Sequence, residues 1–533
     1  MPKMIRENLS LNKLYNLIEA KGELCSAVKR HKLAKSPQNI EALRTEYTHI
    51  QRLKDLFQMD KITAAKLDNL FSHIQDLAVN HLLNAAELEL HEFFELKNFL
   101  WHYGQLRDVL CDSGLGSMHS LPDLGNLFCL LDPEGNNLPT FRISPLYSAD
   151  LRDTLDKLQK LSLNLKQTRE IDLKQARAEL ELPTLKEAFV ISRNRQDMLS
   201  KVLRCKYFVL SSENMANYSF QLADSPLALS LKSDLQVVSE AIQDIESEIK
   251  DMLRQKVQAC AKELKEAWHS TSELAWDYTL AQFAMKYSCC IPELLDFAEE
   301  EKFPGIQLEG AINLPLKLFL EDIQRAYQPL DISLDNAANL ITGPNMGGKS
   351  TALITIGQAC ALAARGIPIP AKSARVPIYA EIYYNHDTGE NSETLSSFGR
   401  EVVSITLALR RGGRKLILLD EFAKGTNPAE GEAICMAVIK HLQTTPHTLI
   451  SATHFTAPAK LKGIAHFTIK GIDAEGFARL ESLPDTSLEA RLKLLSAEMD
   501  YSLVSLPDGE IPPQCALRIA AILGLPTQIM EQI

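Results

Sequence analysis

Gly343, Pro344, Asn345, Met346, Gly347, Gly348, Lys349, Ser350 and Thr351 bring together the groups needed to hold a polyphosphate. Glycines let backbone N–H groups turn inward around phosphate oxygens, and a helix starting at the end of the loop adds a favourable dipole. Lys349 supplies a point charge, and Ser350 offers a hydroxyl to magnesium. The spacing GxxxxGK[ST] also occurs by chance, so its context decides. Here the apolar run NLIT at 339–342 precedes the loop and TALITIGQACALAARG follows it, in the strand, loop, helix order that phosphate binding requires. Further along, the apolar run 416–419 ends in Asp420 and Glu421. Asp420 is expected to hold the metal, directly or through water, and Glu421 to orient or activate an attacking water. A third apolar run ends in Ser451, Ala452, Thr453 and His454, where the histidine is placed to sense a γ-phosphate. The chemistry these residues imply is ATP hydrolysis with Mg2+ as cofactor.

Such residues need a parallel sheet to bring strand ends together. From about Pro304 short apolar runs alternate with helical stretches, as in a parallel sheet with crossover helices. The first 300 residues differ, with apolar residues recurring at helical spacing. The clearest seam is Leu231, Leu235, Val238, Ile242, Ile245, Ile249 and Met252, a heptad pattern. A second runs through Leu151, Leu155, Leu158 and Leu165, with Ser162 in one expected apolar slot. Between the two, AFVISR at 188–193, KYFVL at 206–210 and NYSFQL at 217–222 read as short strands. The expected fold class is multidomain: a largely α-helical region with a small β-containing portion, an α/β P-loop ATPase domain, and a short helical C-terminal element. The boundaries are 1–84 for an N-terminal helical segment, 85–303 for the helical region with coiled-coil arms and the small sheet at about 185–225, 304–485 for the ATPase domain and 486–533 for the C-terminal helical element.

Bulk properties bound the partners. The 533 residues carry a formal net charge of −11, which argues against coating nucleic acid by bulk electrostatics but leaves room for a local basic surface. One such surface is readable at the small sheet region, where Arg193, Arg195, Lys201, Arg204 and Lys206 stand against Asp197. No apolar stretch is long enough for a membrane span and the N-terminus lacks the apolar core of a secretory signal, so a cytoplasmic location is expected. The ten cysteines include no CxxC pair and read as reduced core residues.

ITGPNMGGKST, DEFAKGTNPAEG (420–431) and SATHF (451–455) resemble the ATPase motifs of the MutS mismatch-repair family, in the same order and at similar spacing. The Asn-Met pair inside the glycine loop is the discriminating detail. Upstream, AYQPLDISLD (326–335) is similar to the family's adenine-side segment, which makes Tyr327 the expected stacking aromatic. WDYTLAQFAMKYSCCIP (276–292) is similar to the lever that returns to the ATPase domain, and ALRIAAILGLP (516–526) to the closing dimerisation element. The likeness covers roughly residues 85–533 and is densest from 326 onward.

The resemblance implies an ABC-like homodimer, with residues 85–303 as lever and core carrying a small clamp and 486–533 as the dimerisation element, in which each nucleotide lies between the glycine loop of one subunit and a signature serine of the other. SETLSSFGRE (392–401) stands in the signature's place, with Ser397 acting in trans and Ser396 as the competing register. Thr426 and Asn427 would line the opposing face. The chain is expected to be a short form, without the mismatch-reading and connector domains and without a nuclease-like C-terminal domain. Phe93-Phe94-Glu95 holds an F-x-E, but in a helical stretch whose aromatics read as core. Two loads remain for the ATP switch. One is DNA, gripped by a dimeric clamp related to mismatch repair or DNA-structure recognition. The other is a protein client, such as a cobalamin-dependent aminomutase that the ATPase remodels or reactivates.

Overall fold

The computed structural model describes residues 9–34, 39–298, 303–344, 348–385, 396–482, 487–507, 509–510, 515–525 and 527–530. The chain divides into two compact units. One comprises residues 1–73, 113–119 and 271–533, the other 74–112 and 120–270.

In the second unit the two heptad seams become long helices, Ala149–Leu180 and Pro226–Ala259, which pack along each other. Each starts at a serine cap. Ser148 accepts from the N–H groups of Asp150 and Leu151, and Ser225 from that of Ala228, with Pro226 at the first turn. The first seam passes through Leu161, which is half-buried, while Ser162 faces solvent. A helix has 3.6 residues per turn, so the neighbouring leucine serves where the heptad slot holds a serine. Between the helices the three short strands pair in the order Ala188–Ser192, Asn217–Leu222, Phe208–Glu213, all antiparallel. The helix Gln196–Arg204 covers one face through Val202, which joins Ile191, Phe208 and Phe220 in a small core.

The first unit is built on two sheets. The larger has six strands in the order Asp500–Leu506, Ala465–Gly471, Ala338–Thr342, Thr448–Ala452, Lys415–Asp420, Glu381–Tyr384. Its pairs are parallel except at the first edge. Strands Ala338–Thr342 and Thr448–Ala452 are buried throughout, as expected where both faces of a parallel sheet are covered. The smaller sheet runs Glu293–Leu295, Ser373–Pro377, Ile306–Ala311, Leu330–Leu334.

Two placements differ from the sequence reading. The C-terminal region is not only helical, because Asp500–Leu506 (DYSLVSL) pairs antiparallel with Ala465–Gly471 and forms the edge of the six-stranded sheet. Its alternation is short and flanked by helical stretches, which hides it. The N-terminal helices are not a separate segment. The helix Lys349–Ala363 is apolar on every side and almost wholly buried, so the sheet alone cannot cover it. The N-terminal helices supply the remaining cover. Leu9 lies against Gly357 and its carbonyl accepts from Gln358 Nε2 at 2.8 Å. From the helix Ile40–Met59, the Tyr47 hydroxyl reaches the carbonyls of Ala363 at 3.4 Å and Ile367 at 3.1 Å.

Candidate nucleotide site

The sheet order sets the geometry of the site. Strand Ala338–Thr342 delivers Gly343 at its C-terminal end, and the helix Lys349–Ala363 starts at Gly348. Asn345, Met346 and Gly347 lie outside the described residues. Gly348 has φ +88°, which strains any side chain there, and a Cβ would stand 3.1 Å from the Tyr501 ring, which would have to give way. Ser350 and Thr351 occupy the first helical turn and, with Lys349, line a cavity of about 920 Å³. That volume is within the range of sites for nucleotide-sized ligands.

Lys349 is buried, and its Nζ donates to the loop carbonyls of Gly343 at 2.9 Å and Pro344 at 3.0 Å. Burial pulls its pKa below the ordinary lysine value, against the carboxylates of Glu421 and Asp420, which favour the charged form. A desolvated ammonium held only by neutral carbonyls is a poised anion receptor.

Strand Lys415–Asp420 is one strand removed from the glycine-loop strand and ends at the same side of the sheet. Asp420 is gripped from the edge strand Glu381–Tyr384. Its Oδ2 accepts from the Tyr384 hydroxyl at 3.0 Å, and Asn385 bonds both to its backbone N–H and to its carbonyl. Its Oδ1 is buried with no hydrogen-bond partner among the described residues. Leaving such an atom bare costs ~1–3 kcal/mol, so the site is built to receive a cation or a bound water. This donor set, one carboxylate oxygen plus the Ser350 hydroxyl, fits a hard oxygen-seeking ion such as Mg2+.

Glu421 sits at φ +49°, a left-handed conformation rare for a side chain of its kind. Its N–H is satisfied by the Ala452 carbonyl at 2.9 Å, which ties the acid turn to the neighbouring strand end. Burial alone would raise its pKa. The Lys424 ammonium, hydrogen-bonded to the carboxylate, outweighs this together with Lys349 and His454 and brings it below the ordinary glutamate value. Glu421 therefore stays ionised, as a group that orients water requires. His454 is exposed, its ring 4.5 Å from that of Phe455.

Tyr327 lines the cavity, and its hydroxyl accepts from the Asn313 N–H at 2.7 Å. Next to it, Gln328 clasps the edge strand: Nε2 donates to Asp500 Oδ1 and Ser502 Oγ, both at 2.9 Å, and Oε1 accepts from the Tyr501 N–H at 2.8 Å. Tyr501 thus becomes a second aromatic wall of the cavity. It carries no local sequence signal, because its approach depends on a strand pairing between distant segments. Lys424 does carry one, its place three residues after Glu421. Replacing Tyr501 with alanine is expected to weaken ATP binding roughly 10-fold, the scale of removing one aromatic ring from a stacked base, while phenylalanine retains affinity. Equilibrium titration with ATP checks this, and an unchanged Kd in Tyr501→Ala removes Tyr501 from the base wall.

Ser396 is the cap of the helix Ser397–Arg410, its Oγ accepting from the Gly399 N–H at 3.1 Å. Ser397 is the first helical residue and is exposed, with its Oγ beside Gly425. Of the two registers, Ser397 has the hydroxyl not used by the cap. Asn427 caps the next helix, Pro428–Gln443, through the Ala429 N–H at 3.0 Å.

Strand, glycine loop, buried helix and a nearby parallel strand ending in two acids define the α/β architecture of a P-loop domain. Residues 339–532 match the family model described as MutS domain V. The DNA mismatch repair protein MutS of Symbiobacterium thermophilum is 27% identical over 300 residues, 55% of this chain and 31% of that protein. Endonuclease MutS2 of Halothermothrix orenii is 30% identical over 241 residues, 43% of this chain and 27% of that protein. The chain thus spans about a third of the length of these relatives. Over these residues the chain is similar to the MutS family.

Proposed function

We propose that the chain binds and hydrolyses ATP as a MutS-type homodimeric switch, and that the switch controls a grip on DNA. The observation that carries the ATPase reading is the pairing, around one cavity, of a lysine held by loop carbonyls with an acid turn whose Asp420 keeps a buried, unpartnered oxygen. The triphosphate enters with its γ end at the glycine loop. Lys349 exchanges the carbonyls of Gly343 and Pro344 for phosphate oxygens, and the N–H groups at the start of the helix Lys349–Ala363 point the same way. Ser350 and Asp420 would hold Mg2+, which supplies charge neutralisation on the phosphates. Glu421 orients the attacking water, with Lys424 keeping the carboxylate ionised, and His454 reports the γ-phosphate. Tyr327 and Tyr501 enclose the base.

Dimerisation is supported by apolar side chains left facing solvent. Val403 and Leu407, one turn apart, are 47% and 50% exposed on the helix that begins at Ser397, where the partner's nucleotide would dock against Ser397. Leu517 and Ile529, near the C-terminus, are exposed as well.

The DNA reading rests on the small three-stranded sheet. Arg193, Arg195, Lys201, Arg204 and Lys206 are all exposed, and Arg195, Lys201 and Arg204 make no ion pair among the described residues. Such a patch follows phosphates without reading bases. Replacing Arg195, Lys201 and Arg204 together with alanine is expected to weaken duplex binding and to flatten its salt dependence, by ~0.9 in the log–log slope for each phosphate left without its cationic side chain. Binding to homoduplex, mismatched and four-way-junction DNA at two salt concentrations, with and without ATP, tests this. If ATP changes binding to none of them, the DNA load is wrong and the protein-client reading takes its place.

A further inference from the structure

Away from the nucleotide site, three side chains from distant parts of the chain converge inside the first unit. His49 comes from the helix Ile40–Met59, His119 from the segment 113–119, and Asp277 from the helix Ala261–Lys286. Asp277 is 2% exposed. Its Oδ2 lies 2.9 Å from His119 Nε2 and 3.3 Å from His49 Nδ1, and the three ligand atoms all fall within 4.8 Å of one another. The two imidazoles stand edge to face, centroids 4.7 Å apart at 70°.

We propose that His49, His119 and Asp277 form a binding site for a divalent transition metal of the zinc class. Two imidazole nitrogens and one carboxylate oxygen are borderline donors, suited to Zn2+, Co2+ or Ni2+ rather than to the all-oxygen preference of Mg2+ or Ca2+. In a tetrahedral centre with bonds of about 2.0–2.1 Å, donor atoms lie roughly 3.3–3.4 Å apart. The His49–Asp277 separation already matches, and the His119–Asp277 pair needs to open by only a few tenths of an ångström. The fourth position is left to water.

The charge environment favours a cation. Lys32 Nζ is bound to Glu273 at 2.5 Å and lies 3.6 Å from Glu46, leaving Asp277 as a buried carboxylate whose contacts are imidazoles. Glu46, one turn before His49 on the same helix, is 7% exposed, and neither of its oxygens has a hydrogen-bond partner among the described residues. Glu46, Glu273 and Asp277 thus share the ammonium of Lys32, and a bound metal ion would offset the remaining negative charge. With one ligand from each of three segments, the ion would tie the helix Ile40–Met59 and the segment 113–119 to the helix Ala261–Lys286.

The test uses the full chain, stripped with a chelator and titrated with Co2+, whose visible d–d bands report a tetrahedral nitrogen and oxygen set, and with Zn2+ by calorimetry. One equivalent is expected to bind. His119→Ala and Asp277→Asn should each lower Zn2+ affinity by at least ~10²-fold, the upper end of what outer-shell changes alone produce. The exposed cysteines Cys111 and Cys129 are controlled by the Cys111→Ser, Cys129→Ser pair, which should bind as the parent does. Asp277→Asn keeps the side-chain shape, so it decides the matter if His119→Ala fails to fold. No saturable binding by the parent, unchanged affinity in Asp277→Asn, or loss of binding only in the cysteine variant would each overturn the site and leave a hydrogen-bonded His–Asp–His cluster.

Discussion

Lys349→Ala is expected to lower ATP turnover by ~10²–10³-fold, the scale of deleting one preorganised donor to transition-state charge, while leaving the fold intact. The tolerance follows from what Lys349 bonds to. Its two partners are the loop carbonyls of Gly343 and Pro344, and each hydrogen bond removed costs only ~0.5–1.5 kcal/mol. The desolvation that depresses the lysine pKa is relieved at the same time. Steady-state phosphate release and thermal unfolding, measured on one preparation, check the pair of outcomes. Unchanged turnover would sink the assignment of the glycine loop, and a collapsed fold would mean the lysine is structural.

Glu421→Ala should bind ATP with near-parental affinity and hydrolyse it ~10²–10⁴-fold more slowly, the range for loss of a general base. The dimer should persist with nucleotide trapped, measurable by size-exclusion chromatography with labelled ATP. Glycine at the same position gives a sharper reading. The left-handed backbone at φ +49° costs a non-glycine residue about 1–2 kcal/mol, which glycine does not bear. Glu421→Gly is therefore expected to raise the melting temperature while losing hydrolysis, because the strain is present to aim the carboxylate. Normal hydrolysis in either variant moves the base elsewhere. The pH dependence has a definite sign. Since Lys424 holds Glu421 below the ordinary glutamate value, loss of turnover through this group begins only as pH falls through that lowered pKa, and neutralising Lys424 should move the loss to higher pH.

What the sequence reveals of this site follows the range of the forces involved. The strand ends at Thr342, Asp420 and Ala452 could be read because each closes a local apolar run, and parallel pairing then brings such ends together. The helical hairpin and the three strands between its arms were legible for the same reason, since period and turn residues are local. Contacts between distant segments were not. The hold of Gln328 on Asp500 and Ser502 depends on an edge strand whose partner is set by the sheet. Likewise, the amphipathic pattern of 40–59 tells which face is buried and not what covers it. The left-handed turn at Glu421 has no sequence signal, because glutamate is seldom found there. Among the described residues no helix is long and apolar enough to cross a membrane.

The cover on the far side of the helix Lys349–Ala363 has a consequence for dissecting this protein. A fragment beginning near residue 304, where the texture of the sequence changes, would strip Leu9 from Gly357 and Tyr47 from Ala363 and Ile367. An apolar helix would then meet water along a whole face, and the fragment should aggregate or bind detergents rather than behave as an autonomous domain. The functional module is discontinuous in the chain, so ribosomal synthesis makes its buttress first and its catalytic core last. Folding of the nucleotide domain requires segments separated by some two hundred residues to meet, at the entropic cost of closing that long loop.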